Sequence, residues 1–298
     1  VDALPDGLRA LLAPVLGGQA EAFVAGGLAA VAAGAEHRWV QAGLAASAGC
    51  EPAVLAGLDD LSAALLADPA VTNFFFMRKP PGFRLRFETT PDRRAGLESG
   101  LYARLAGMRP QVELVVPGVY EPAEHLFGGP ASMPFVHRVF TLDSRAWLAF
   151  SRRAAGTPAW VFSLALMRHL LDGLAIAGSQ DVQVWERIGR QASRTLPPGM
   201  AGEKTEAATE AIQALWSDPA QLRASLSGPA AILADEWGPR LGAACREWRD
   251  GYFGTRRAVI GPREGMAFVT LFHWNRGGLS AAVQSVLAAA LADRGGRP

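Results

Sequence analysis

Arg84 and Arg86 stand two positions apart in "GFRLRFETT", alternating with Leu85 and Phe87. In an extended strand that spacing sets both guanidiniums on one face and both apolar side chains on the other. Two planar forks on one face suit carboxylates or amide oxygens. Taken alone, the pattern also fits a solvated sheet face whose arginine stems cover apolar neighbours. Arg78 and Lys79 lie just across "PPG" at 80–82, so four cations surround one hairpin.

Two further stretches combine residues able to move protons. "VYEPAEHLFGG" at 119–129 holds Tyr120 and Glu121, with Gly128-Gly129 allowing close backbone approach. "LFHWNRGG" at 271–278 places His273, Asn275 and Arg276 just after an apolar run. Read as an extended chain, it puts His273 and Asn275 on one side, away from Trp274. His273 would serve as acid or base near neutral pH. Each stretch also has a plain reading, a packed tyrosine in a turn and a histidine satisfied at a strand end.

The elements that must position these groups follow from local pattern. Residues 72–77 and 83–89 read as antiparallel strands joined by Pro80-Pro81-Gly82. A helix runs from Pro91-Asp92 through Leu105, with Leu97, Leu101 and Leu105 on one face. Residues 111–116 form a short strand, and 267–272 are apolar and β-capable. Helices are expected at 5–31, 59–66, 135–150, 159–177, 205–216, 229–249 and 279–292. The sum is an α+β fold, a mostly antiparallel sheet with packed helices. A single domain is expected over 1–298, its first 70 or so residues helical. The stretch beginning at Ser193 reads as a loop over about 193–205, a mobile lid or an exposed linker, with composition favouring the linker.

Composition narrows the function classes. Half of the 298 residues are hydrophobic and 19% are charged, which fits a sizeable core. A net charge of +1 gives no global field for nucleic acid. Two cysteines outside any C-x-x-C pair, Cys50 and Cys245, make neither a zinc site nor a disulfide framework. The uncharged run 22–35 is too short and glycine-rich to span a membrane, and the N-terminus lacks a signal-peptide pattern. A cytoplasmic protein with no membrane or nucleic-acid partner is expected. No H-E-x-x-H, G-x-S-x-G or G-x-G-x-x-G after a strand occurs.

Four motifs occur in one order: "FFFMRKPPGFRLRFE", "YEPAEHLFGG", "FTLDS" at 140–144, and "LFHWNR". Together they resemble the small C-terminal elimination domain of class I lanthipeptide dehydratases and its free-standing relatives in thiopeptide biosynthesis. The resemblance runs from about Val71 to the end. It departs where the elimination pattern has a glutamate and an arginine; here Ala123 and Leu126 stand. An enzyme expelling glutamate needs that arginine to hold a carboxylate. With the Arg-Leu-Arg hairpin, His273 and Asn275 kept, the chain looks most like a thiopeptide pyridine synthase.

Such enzymes join two dehydroalanines of an azole-bearing ribosomal peptide by a formal [4+2] aza-cycloaddition. Water and then the leader peptide are expelled to leave a pyridine. The resemblance implies no metal or redox cofactor. It implies a modified precursor peptide as partner, alongside contact with other biosynthetic enzymes. His273, Tyr252, Asn275, Tyr120 and Ser144 become candidates for proton transfer, with Asn275 orienting His273 or an amide oxygen. Arg84, Arg86, Arg276 and Glu121 become candidates for substrate binding. Two other readings stay open: a free-standing glutamate eliminase, and a non-catalytic leader-binding module that takes a peptide on a strand edge.

Overall fold

The computed structural model describes residues 4–35, 38–154, 156–196 and 202–295. Four strands form one antiparallel sheet: β1 (Trp39–Ala46), β2 (Val71–Lys79), β3 (Gly82–Thr89) and β4 (Val112–Gly118), in the order β2-β3-β1-β4. The Pro-Pro-Gly corner closes the β2–β3 hairpin as expected, with Lys79 paired to Gly82. Register sets Gln41, Phe75 and Arg86 side by side across three strands, since Arg86 faces both others. The opposite face carries Val40, Ala42, Leu44, Phe74, Phe76, Phe83, Leu85 and Phe87, all buried. Leu85 and Phe87 thus enter the core, and Arg84 and Arg86 take the other face.

The central strand β1 is absent from the sequence-based expectation of a helical first 70 residues. "WVQAGLAA" carries alanine and glycine, which do not announce a strand. Its place comes from pairing on both sides, with β3 and β4. The expected helical segment before it holds as α1 (Leu4–Leu16) and α2 (Ala20–Ala35), and 59–66 lies within α3 (Glu51–Leu66). Helix α4 (Arg94–Ala106) packs against β1 and β4, and buries Leu101 and Leu105.

Helix α5 (Met133–Arg153) is the mast of the fold, packing on β2, α3 and α10 (Gly228–Trp248). Around it lie α6 (Ala159–Gly173), α7 (Gln180–Gln191), α8 (Glu203–Ser217), α9 (Pro219–Ala224), α11 (Pro262–Arg276) and α12 (Ala281–Ala292). The loop expected at about 193–205 falls partly on 197–201, outside the described residues. The β-capable run 267–272 is helical, the interior of α11. Pro262 starts that helix after Gly261, and Gly277-Gly278 follows it. A buried helix segment and a buried strand share the same apolar run, so periodicity did not separate them.

Edge strand β2 is closed by side chains. Its Phe74 and Phe76 N–H groups donate to Thr141 Oγ1 (3.1 Å) and Ser144 Oγ (3.3 Å) of α5. Arg276 Nε of α11 donates to the Phe76 carbonyl at 3.0 Å. Arg78 adds a tie, donating from Nε to the Arg276 carbonyl and from Nη1 to Glu51 at 2.6 Å. Such covering removes an otherwise sticky edge.

Candidate functional site

Three groups of polar residues emerge, and they differ in access. The first lies on the arginine-bearing face of the hairpin, largely covered by Trp39, Tyr120 and His137. Arg86 is 8% exposed. Its Nε donates to Gln41 Oε1 at 2.7 Å, and its guanidinium lies over the Phe75 and Tyr120 rings at 5.0 and 4.9 Å. Gln41 is in turn fixed by donating from Nε2 to the Val119 carbonyl at 3.1 Å. No carboxylate among the described residues forms an ion pair with Arg86. Burial, with Arg84 and Arg276 nearby, lowers its pKa to about 10 while Tyr120 pulls the other way, so it remains a cation at neutral pH.

Tyr120 Oη lies 2.8 Å from His137 Nε2. Burial is the main force on both. It pushes the Tyr120 hydroxyl up and, with Arg86, pulls His137 down to about 4. Both are therefore neutral near pH 7, joined by one hydrogen bond beside a cation. Trp39 closes on them, its ring 4.5 Å from that of His137. Arg84 is half-buried and donates to the Pro80 carbonyl at 3.1 Å. Glu88 accepts from Asn73 at 2.7 Å and Thr72 at 3.0 Å on the same side of the hairpin. Glu121 is exposed.

The His137 position carries a pH signature. The unfolded chain takes up a proton near the ordinary value of 6.5, and the folded protein resists it until about 4. Proton binding thus favours unfolding. Stability is full above 6.5, falls as pH drops toward 4 and then levels off, a loss of about 3 kcal/mol from this group. Unfolding of wild type and His137→Phe across that window should show a steeper fall in wild type, with the shallower fall from half-buried His169, also lowered by burial, kept in both. Parallel profiles would contradict the placement.

The second group is sealed in the core. His273, Asp143, Arg276, Ser144 and Ser163 are all at most 1% exposed. His273 Nδ1 lies 2.6 Å from Asp143 Oδ1, placed to donate to that carboxylate, with Trp147 Nε1 3.1 Å from the same nitrogen, and Nε2 meets Ser163 Oγ at 2.9 Å. Arg276 Nη1 pairs with the other Asp143 oxygen, and the guanidinium lies 4.6 Å from the Phe140 ring centre. Burial would raise the Asp143 carboxyl, but His273 and Arg276 outweigh it and hold it below its ordinary value. Both His273 nitrogens are engaged within the core.

Here the extended reading of "LFHWNR" needs correction. On a helix, residues two apart do not share a face. Asn275 accepts from Gln284 Nε2 of α12 at 3.0 Å, and Asp143 orients His273 instead. Ser144 and Arg276 serve the β2 edge described above. Sequence reasoning passed over Asp143 in favour of its neighbour Ser144, although both lie in "FTLDS". It also missed Gln41, His137 and Ser163, and only the histidine in "FVHRVF" offered a chemical signal.

Tyr252 and the Gly128-Gly129 loop make the third group. Tyr252 sits in the π-helical segment Arg249–Phe253 and is 1% exposed. Its hydroxyl donates to the Gly128 carbonyl at 2.9 Å and accepts from Val259 N at 3.0 Å. Gly128 has φ +86°, and a Cβ there would collide with that hydroxyl. Gly129, at φ +90°, faces open space. Gly128→Ala should cost about 2–4 kcal/mol, from backbone strain and collision together, and Gly129→Ala clearly less. Equal losses in chemical denaturation would contradict this packing.

Among the described residues no group of three or more His, Cys, Asp or Glu is placed to hold a metal. No helix of the described residues is long and apolar enough to cross a membrane. A cavity of about 720 Å³ between α3 and α4 is lined by Leu65, Thr89, Arg93 and Leu97, and contains none of the three groups.

Residues 39–293 match the family model described as lantibiotic biosynthesis dehydratase C-term. The chain belongs to this lantibiotic dehydratase C-terminal family. The match starts at β1 and takes in the sheet and all three polar groups. A solved structure, the tRNA-dependent lantibiotic dehydratase MibB from Microbispora sp. 107891, aligns with a TM-score of 0.67 at 17% identity. That alignment covers 87% of this chain and 28% of MibB, so the chain spans little more than a quarter of that protein. The α+β fold expected from sequence is thus one that this dehydratase shares over the aligned part. No curated protein matches the chain.

Proposed function

We propose that this member of the dehydratase C-terminal family is a thiopeptide pyridine synthase. It would act on a dehydrated, azole-bearing ribosomal peptide, close a ring between two dehydroalanines, and expel water and the leader peptide. The observation that carries the reading is the face around Arg86. A buried cation with no carboxylate partner among the described residues lies beside a neutral tyrosine–histidine pair. Cation and neutral donor suit an amide that must be polarised and tautomerised.

Roles follow from access. Arg84 and Arg86 would hold amide oxygens of the folded peptide, and holding two distant alkenes together removes most of the entropic barrier. Tyr120 would deliver a proton, with His137 returning it. Glu121, exposed beside Tyr120, is left for peptide contacts outside the face. His273, Tyr252, Ser144 and Arg276 are assigned supporting roles because each is at most 1% exposed, and Asn275 because Gln284 of α12 holds it. Leu126 favours this reading over glutamate elimination. The elimination pattern has an arginine there, and this chain has a half-buried apolar side chain packed on the core.

Two peptides separate the activities: a dehydrated azole-bearing precursor, and one carrying a glutamylated serine. The expected result is consumption of the first and return of the second unchanged. Dehydroalanine formed from the second would assign glutamate elimination instead.

A further inference from the structure

The two edges of the sheet are treated differently. Side chains of α5 and α11 bond to the free side of β2, through Thr141, Ser144 and Arg276. The free side of β4 has none of this. Its residues pair with β1, and no other hydrogen bond from Val112–Gly118 to any described residue occurs apart from the turn contact of Val112 N with the Met108 carbonyl. Leu114 is 45% exposed on this strand. Only Pro117, which lacks an N–H, limits pairing at its far end.

A cavity lies along the same edge. It measures about 400 Å³ and lies between Tyr102, Ala106 and Arg109 on one side and β4 residues 113–115 and 117 on the other. Three consecutive β4 residues border it, so the cavity opens at the edge of the strand and not under one face alone. Tyr102 is itself anchored, donating from its hydroxyl to the Gln41 carbonyl at 3.2 Å. Gln41 is the residue that holds Arg86, so the cavity wall and the cationic face share one strand.

We propose that β4 docks an extended peptide as a fifth strand, with one of its side chains seated in the Tyr102–Ala106–Val115 cavity. The occupant follows from the chemistry of the edge: a row of unpaired backbone donors and acceptors at strand spacing is matched by another extended backbone. The cavity then reads one side chain, a large apolar one, because Tyr102, Ala106, Leu114 and Val115 supply apolar lining. The proposal rests on the reading that the domain handles a peptide, and it names where part of that peptide outside the reacting residues lies.

The probe is a short fluorescein-labelled synthetic peptide alternating leucine with threonine, measured by anisotropy on the full chain. A twin with alternate amides N-methylated along the pairing edge is the control. The expected result is saturable binding that weakens at least about tenfold in the twin, since several backbone hydrogen bonds are lost. Ala106→Trp, at an exposed position beside the edge, should fill the cavity and weaken binding by a similar factor while circular dichroism stays unchanged. Hydrogen exchange should slow at residues 113–116 when the probe is added.

No binding at millimolar peptide, equal binding of the twin, or slowed exchange elsewhere would overturn the proposal. So would self-association of the protein that protects the same amides without peptide, because a second copy would then be the occupant. Ring formation is scored separately. Docking lost with ring formation intact removes this edge alone, and docking intact without ring formation removes the pyridine synthase reading alone.

Discussion

Asp143→Ala should lower the stability of the protein by about 3–5 kcal/mol, the cost of breaking a buried ion pair on one side. Asp143 is the shared acceptor of His273 and Arg276, and all three are excluded from solvent. Removing the carboxylate leaves the Arg276 guanidinium charged in an apolar core. One of its nitrogens, Nη2, already lacks a partner. The same loss frees the clamp on β2, because Arg276 also bonds to the Phe76 carbonyl. The sharper test is the combined variant Asp143→Leu, His273→Phe, Arg276→Met. An apolar set of similar volume should recover much of the loss, since desolvated charges contribute little beyond what hydrophobic packing supplies. Chemical denaturation measures both. A cost under about 1 kcal/mol for Asp143→Ala would mean the triad is not the brace described.

Arg86→Leu should reduce turnover at least about a hundredfold, as expected when a charge-stabilising donor is removed from a reacting centre. Its cost in stability should be about 1–3 kcal/mol, below that of Asp143→Ala, because the Gln41 Oε1 acceptor loses its donor. The cation has no carboxylate to leave behind among the described residues, and leucine can pack between Phe75 and Tyr120. Arg86→Lys should stay more than about tenfold impaired, because an ammonium keeps the charge and loses the planar fork. Loss of activity at that smaller cost in stability separates a substrate-holding arginine from a structural one such as Arg276. Turnover of Arg86→Leu equal to wild type would remove Arg86 from the site.

The hairpin was legible because its signals are local. Alternation assigned Arg84 and Arg86 to one face, and Pro80-Pro81-Gly82 marked the turn. What the alternation could not say is how differently the two arginines are housed. Arg84 is half-buried beside its own turn, and Arg86 is sandwiched by rings from β2 and the loop after β4. The second partner, Gln41, comes from a strand hidden in an alanine-rich segment, and only cross-strand register brings it there. The His273 motif failed for another reason. A short, mostly apolar run fits a strand or a buried helix equally, and choosing the strand placed His273 beside Asn275 instead of Asp143. The fold turns His273 and Arg276 of that motif inward onto Asp143. Tyr252 shows the same lesson in reverse. Its approach to the Gly128-Gly129 loop joins two stretches singled out separately, and the contact is one of packing.

The central claim is that the cationic face serves ring closure with expulsion of the leader. Mass spectrometry of the leader released from a dehydrated azole-bearing precursor tests it most directly. The account predicts a macrocyclic product together with a leader ending in a carboxamide, formed by wild type and lost in Arg86→Leu. A leader ending in a carboxylate, or a precursor recovered intact from wild-type protein, would contradict it.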